Sequence, residues 1–140
     1  MRHLSETQTA IELKRCVMSD GPFTRLDHVQ LAMPGGEEDR AREFYVGVLG
    51  LQEVTKPPEL AKRGGCWFSS GDVHVHLGVD TDFRPAKKAH PAFRCADYNG
   101  LTKRLSDLGV RVVPDEISLD GKAHCYFADP FGNRIELVAE

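Results

Sequence analysis

A chain of 140 residues can form one domain with a substantial core but not two independent ones. Its net charge of −3 gives no electrostatic reason to expect nucleic acid or an anionic membrane as partner. No apolar run approaches the roughly 18–20 residues of a membrane helix, and charged residues throughout residues 1–20 argue against a secretory signal peptide. We therefore expect a soluble cytoplasmic protein. Its four cysteines are far apart and in no CxxC pair, which argues against zinc-finger and thioredoxin classes.

Residues 1–22 are predicted to be an appendage, either disordered or lying on the surface. Within it, Thr9–Met18 could form a short amphipathic helix, which Ser-Asp-Gly-Pro at residues 19–22 would end. The predicted domain spans residues 23–140, with modules at about 23–80 and 89–140.

The first module reads as strand, helix and three strands. Apolar alternation predicts a strand at 24–33, and apolar residues at helical spacing predict a helix at 37–49, ended by Gly50. Strands are predicted at 51–55, 65–69 and 73–79, the last two as a hairpin.

The second module repeats the order of the first. Predicted strands lie at 90–96, 110–113, 123–128 and 133–139, and a helix ends at Gly109 with Asp97 as its N-cap. His90 follows His28 by 62 residues (90 − 28), and Glu136 follows His76 by 60 (136 − 76). Such internal repetition predicts two curled half-sheets that face each other.

The repeat brings four candidate metal ligands into equivalent places. His28 and His90 belong to the first strand of each module, and His76 and Glu136 belong to the last. Three imidazoles and one carboxylate suit a divalent transition metal ion such as Zn, Ni, Co, Fe or Mn. His74 points to the same strand face as His76 and stays open as an alternative ligand.

The remaining histidines and the basic residues give further expectations. His124 and His3 are expected to have no metal role. Arg63 and Lys87, with Arg84 and Lys88, could bind an anionic substrate group, the alternative being solvated surface charge. One of Trp67 and Phe68 should line the concave space around the predicted metal ion, and the other should pack in the core. The predicted substrate-binding residues are Arg63, Trp67 and Lys87.

Several motifs make the sequence similar to the vicinal oxygen chelate superfamily, which includes glyoxalase I, bleomycin-resistance proteins and extradiol dioxygenases. The resemblance covers roughly residues 23–140 and rests on five stretches: Leu-Asp-His-Val at 26–29, Ala-Arg-Glu-Phe-Tyr at 41–45 with Val-Leu-Gly-Leu at 48–51, His-Leu-Gly at 76–78, His-Pro-Ala-Phe at 90–93 and the hairpin at 127–136. It implies an α+β fold in which two βαβββ modules form an incomplete eight-stranded barrel around a metal ion. The family's metal positions carry over onto His28, His76, His90 and Glu136. An acidic residue often occupies the place of His76 in similar members, so histidine there is a departure.

The resemblance also implies a function class. Glyoxalase-like members carry out isomerase or lyase chemistry, in which a proton moves next to a carbonyl of a small oxygen-chelating substrate, and Glu136 inherits the role of base. The alternatives are an extradiol-type dioxygenase, a fosfomycin-type thiol transferase, and a non-catalytic small-molecule binding or resistance protein. A fourth ligand at His76 counts against the dioxygenase, because a two-His-one-carboxylate site leaves three positions open. A homodimer is also expected, since relatives dimerise and each half exposes a sheet edge.

Overall fold

Eight strands form two separate four-stranded sheets in the computed structural model, which describes residues 21–140. The first sheet contains β1 (Val29–Met33), β2 (Gln52–Val54), β3 (Cys66–Ser70) and β4 (Val73–Val79), in the order β1-β4-β3-β2. The second contains β5 (Ala92–Cys95), β6 (Val113–Pro114), β7 (His124–Ala128) and β8 (Arg134–Ala139), in the order β5-β8-β7-β6. Each sheet has one parallel pair, β1 with β4 or β5 with β8, and its other pairs are antiparallel.

The identical strand orders confirm the predicted α+β fold of two βαβββ modules. Strands β1 to β4 of the first module correspond one by one to β5 to β8 of the second. The two sheets do not close into a barrel within one chain. The predicted appendage, with its helix at Thr9–Met18, falls outside the described residues apart from Gly21 and Pro22.

Helices connect the strands and are short. Helix α1 (Glu38–Arg42) continues as a π-helix (Glu43–Val48), α2 (Pro58–Ala61) is a single turn, and α3 (Tyr98–Asp107) lies in the second module. The predicted helix at 37–49 is thus only partly an α-helix, because Leu49 N–H bonds five residues back to Phe44 O. Asp97 caps α3 as predicted, with its carboxylate accepting from Gly100 N. Within residues 21–140, no helix is both long and apolar enough to cross a bilayer.

One apolar core joins the two modules. It includes Val75 and Leu77 of β4, Ile135 and Leu137 of β8, and aromatic side chains of both halves. Tyr45 donates a 2.8 Å hydrogen bond to buried Asp129 across the module boundary. Because strand residues alternate between faces, His76 and Glu136 lie on the sheet faces turned away from this core.

The largest departures from the predicted strand bounds are at β1, β5 and β6. β1 and β5 begin at Val29 and Ala92, so His28 and His90 stand just before their strands rather than within them. β6 covers only Val113 and Pro114, whereas a strand was predicted at 110–113. β6 is an edge strand, and Pro114 has no N–H to extend the ladder with β7.

Gly65 is expected to be the glycine of the first module at which a side chain is tolerated least. Its φ is +83°, and a Cβ there would lie 2.0 Å from Leu77 O, next to His76. Gly36 has a similar φ of +79° but nothing within 4 Å of a Cβ, so it is a matched control. Gly36→Ala should lower the free energy of unfolding by about 1–2 kcal/mol, the cost of a left-handed alanine. Gly65→Ala should lower it by more than about 3 kcal/mol, since a backbone carbonyl must also move. Denaturant unfolding measures both, and equal losses would contradict the steric argument.

Candidate functional site

The first two predicted ligands, His28 and His76, lie together and are named here the N-terminal ligand pair. Their rings stack with centroids 4.0 Å apart, and His76 stacks on Trp67 on its other face at 4.1 Å. The position of Trp67 follows from strand register, because Trp67 of β3 is directly opposite His76 of β4. The indole therefore fixes the orientation of the His76 ring.

A cavity of about 870 Å³ opens over the N-terminal ligand pair. This volume suits a small molecule. All its lining residues belong to the first module, between Arg25 and Val79. Its basic lining side chains are Arg25, Lys56 and Arg63, and its acidic ones are Asp27 and Asp72. Lys56 Nζ also lies 5.9 Å from the centre of the Trp67 ring.

The other two predicted ligands, His90 and Glu136, form the C-terminal ligand pair. His90 Nε2 is 3.7 Å from Glu136 Oε2. Parallel pairing of β5 with β8 produces this contact, since Ala92 is opposite Glu136 and His90 comes two residues earlier. The Glu136 side chain is 9% exposed and that of His90 is 22% exposed.

In both His28 and His90, the ring nitrogen Nδ1 contacts a neighbouring oxygen atom. Nδ1 of His28 is 2.8 Å from Asp27 Oδ1, and Nδ1 of His90 is 2.8 Å from Lys88 O. A carbonyl oxygen only accepts, so His90 carries its hydrogen on Nδ1, and the Asp27 carboxylate favours the same tautomer for His28. In both rings the Nε2 lone pair is left free for a metal ion, an arrangement typical of histidine ligands.

His124 is the residue that sequence reasoning left aside. Its Nδ1 lies 2.9 Å from Glu136 Oε1, and its Nε2 lies 2.6 Å from Ile117 O. The register of the hairpin predicts this contact. Tyr126 of β7 is opposite Glu136 of β8, and His124, two residues before Tyr126, is therefore a diagonal neighbour of Glu136 on the same sheet face. Counting back from the turn at residues 129–132 would have found this contact.

The protonation of these groups follows from their contacts. Bonding to Ile117 O and to Glu136 raises the pKa of His124. Burial raises the pKa of Glu136, but hydrogen bonds from His124 and Tyr126 outweigh it and hold that pKa below its ordinary value. Burial and the neighbouring His28 ring lower the pKa of His76, so this ring stays neutral at physiological pH. The carboxylate is thus ionised and His76 is a free base, as metal binding requires.

The sequence model of the Glyoxalase/Bleomycin resistance protein/Dioxygenase superfamily matches residues 25–137. The chain belongs to this superfamily. The match includes all four predicted ligands and both modules.

Solved structures of the glyoxalase superfamily agree with the fold. A protein assigned to the glyoxalase family from Bacillus anthracis is 44% identical, with a TM-score of 0.81, over 84% of this chain and 96% of that one. The fosfomycin resistance protein FosX from Listeria monocytogenes is 18% identical, with a TM-score of 0.67, over 84% and 94%. Lactoylglutathione lyase from Agrobacterium tumefaciens is 22% identical, with a TM-score of 0.66, over 84% and 95%. At these last two identities the likeness concerns the fold alone. None of the curated proteins is significantly similar to this chain.

The four predicted ligands occur here as two separate pairs. Among residues 21–140, no three His, Cys, Asp or Glu side chains are grouped so that they could hold a metal ion. The reason is the shared core, which leaves each ligand pair on the outer face of its own sheet. Each pair supplies two donors that suit a divalent transition metal, and together the pairs supply the N₃O set predicted from the sequence.

The predicted substrate-binding residues are placed differently from one another. Arg63 and Trp67 line the cavity. Phe68 also borders it but is fully buried in the core, so Trp67 is the partly exposed one of the two aromatic residues. Lys87 is on the exposed link between the modules and is not among the residues that line the cavity. His74, the alternative ligand, is exposed on β4 and lines the cavity beside His76. Arg25 and Lys56 also line it and were not singled out from the sequence.

Proposed function

We propose that this protein is a metal-dependent enzyme of the glyoxalase type, which moves a proton next to a carbonyl of a small substrate that chelates through adjacent oxygens. The observation that carries the proposal is that Nδ1 of both His28 and His90 contacts an oxygen atom at 2.8 Å, which favours the tautomer that leaves Nε2 free in both rings. His28, His76, His90 and Glu136 would hold the ion. A divalent ion supplies Lewis-acid polarisation of the substrate oxygens.

Glu136 is proposed as the general base. It is buried, ionised and adjacent to His90, and its carboxylate is the group that could accept a proton from a substrate carbon. Trp67 would pack against the substrate on the floor of the cavity. Arg63 would attract an anionic substrate group, and Lys56 and Arg25 add positive charge to the lining of the same cavity.

We further propose that each metal site is completed by two copies of the chain. The outer face of one copy's first module would meet the outer face of the other copy's second module, which brings His28 and His76 to His90 and Glu136. Two features support this arrangement. The cavity over the N-terminal ligand pair is lined by the first module alone, and the edge strands β1 and β5 stand beside His28 and His90 with one side unpaired in the described residues. A twofold axis would then give two identical sites per dimer.

Elemental analysis and a substrate screen test the function directly. Protein loaded separately with Zn, Ni, Co, Fe or Mn should bind about one ion per chain. It should then convert at least one member of a panel of 2-oxoaldehyde–thiol adducts, acyl-CoA epimers and catechols. Isomerisation in deuterium oxide should place solvent deuterium at the carbon next to the carbonyl. Ring opening of a catechol with consumption of O₂ would instead support the dioxygenase, and binding without turnover would support a resistance protein.

Metal retention should depend steeply on pH. Protons compete with the ion for histidine nitrogens, so retention should fall as pH drops through about 6.5. The low pKa of His76 weakens that competition at one ring, and the low pKa of Glu136 keeps the carboxylate ionised over this range. The loss of metal over this pH range therefore reflects competition from protons at histidine ligands and not at Glu136. Dialysis at a series of pH values followed by elemental analysis measures it, with circular dichroism to exclude acid unfolding. Unchanged retention down to about pH 4.5 would argue against three histidine ligands.

A further inference from the structure

His124 is held from both ends of its ring. Nδ1 bonds to Glu136 Oε1 at 2.9 Å and Nε2 bonds to Ile117 O at 2.6 Å. The loop that carries Ile117 is itself fixed to the sheet, because Asp115 N donates to His124 O at 3.0 Å and Asp115 Oδ1 accepts from Ile117 N at 3.0 Å. The Nε2 end of the ring is therefore anchored to a backbone carbonyl of a loop that is itself fixed to the sheet, and the Nδ1 end is left to hold the Glu136 carboxylate.

The two oxygens of Glu136 have different neighbours. Oε1 bonds to His124, whereas Oε2 faces His90 Nε2 at 3.7 Å. Residues His124 and Glu136 are only 6% and 7% exposed, so water cannot readily replace the bond between them. The bond from His124 to Oε1, together with the hydrogen bond from Tyr126, leaves the carboxylate little rotational freedom, and Oε2 lies on the side of His90.

We propose that His124 is a positioning residue for Glu136, holding Oε1 so that Oε2 is presented beside His90 to bind the ion and accept the substrate proton. The proposal rests on the proposed function for the role of Glu136. His124 is not itself a metal ligand, because both its nitrogens already bond to oxygen acceptors and neither offers a lone pair. Ligands commonly depend on such supporting hydrogen bonds, and their loss typically costs about 10–100-fold in metal affinity.

Two amide substitutions separate the two ends of the ring. The amide nitrogen of asparagine can occupy the place of Nδ1, and that of glutamine the place of Nε2. His124→Asn therefore keeps the donor to Glu136 and loses the donor to Ile117 O, whereas His124→Gln does the reverse. Cobalt(II) titration of the purified variants, read by the visible absorption bands, gives both the affinity and the coordination of the ion. Thermal unfolding shows whether each variant is folded.

We expect His124→Gln to weaken cobalt binding about 10–100-fold and to shift its absorption bands, while His124→Asn stays within about threefold of wild type. Equal affinity in all three proteins overturns the proposal, and so does the reverse order, which would mean that His124 only anchors the loop. Equal loss in both variants, with unchanged unfolding temperature, would mean that the imidazole is itself a ligand.

Failure of the proposed function is distinguishable from failure of the inference. A wild-type protein that binds no cobalt overturns the metal-dependent function and, with it, the role of His124, whereas wild-type binding that both variants retain overturns the inference alone. If His124→Gln does not fold, a crystal structure of the cobalt-loaded wild-type protein decides. The inference requires His124 Nδ1 to bond to the Glu136 oxygen that does not bind cobalt, and His124 bound to cobalt overturns it.

Discussion

Glu136→Gln is expected to lower turnover by about 10²–10⁴-fold even at saturating metal, the usual scale for loss of a general base. The glutamine amide oxygen can still accept the hydrogen bond from His124 Nδ1 or bind the ion, but it cannot take up a proton at neutral pH. The substitution therefore removes proton acceptance while it keeps the shape of the side chain. Turnover is measured on the panel member that wild-type protein converts, with bound metal determined on the same sample.

His76→Gln is the matched control for that experiment. It removes one imidazole from the N-terminal ligand pair and leaves Glu136 untouched, so excess metal should restore much of the activity. Glu136→Gln should not respond to added metal. If Glu136→Gln keeps near-normal turnover with metal bound, Glu136 is only a ligand and another group moves the proton.

The repeat is the part of the fold that the sequence predicts best. Two modules with the same order of elements must bury the same faces, and Phe68 and Phe127 are indeed both buried at equivalent places. Strand alternation then assigns His76 and Glu136 to the opposite, outer faces. Both inferences need only the local pattern of apolar and polar residues, and the vicinal oxygen chelate motifs agree with them.

The packing of the two modules against each other could not be predicted from local sequence patterns. Their packing depends on pairs far apart in the chain, such as Tyr45 with Asp129 and Arg104 with the carbonyl oxygens of Gly47 and Val48. These contacts place the core between the modules and the ligand pairs outside it. The sequence predicted that four side chains converge on one ion, and it left open whether one chain or two would bring them together. Among residues 21–140 of one chain they form two separate pairs.

The π-helix at Glu43–Val48 illustrates a second kind of gap. The apolar spacing of residues 37–49 predicts a helix correctly, but the extra residue in its turns depends on what satisfies its last carbonyl oxygens. Arg104 of the second module donates to Gly47 O at 2.8 Å and to Val48 O at 2.9 Å. A tertiary partner thus fixes the local geometry that periodicity alone could not specify.

Mixed dimers should separate shared metal sites from sites within one chain. His28→Ala and His90→Ala remove the same residue type from equivalent places of the two ligand pairs. If sites are shared, a dimer of one His28→Ala copy and one His90→Ala copy has one site with both defects and one intact site. It should bind about one ion tightly, against about two for wild type, while either homodimer has no intact site.

A second mixed dimer gives the opposite expectation and completes the test. One copy carries both substitutions and its partner is wild type. Shared sites then lack one histidine each, so no tight site remains, whereas sites within one chain leave one intact site in the wild-type copy.

Co-expression with two different affinity tags isolates each mixed dimer, and light scattering establishes its mass before elemental analysis. One tight ion in the second dimer and none in the first would place the complete site inside a single chain. A monomer mass for the wild-type protein at micromolar concentration would reject the shared site outright. The shared arrangement predicts the reverse, because the core that joins the two modules leaves the two ligand pairs apart within one chain.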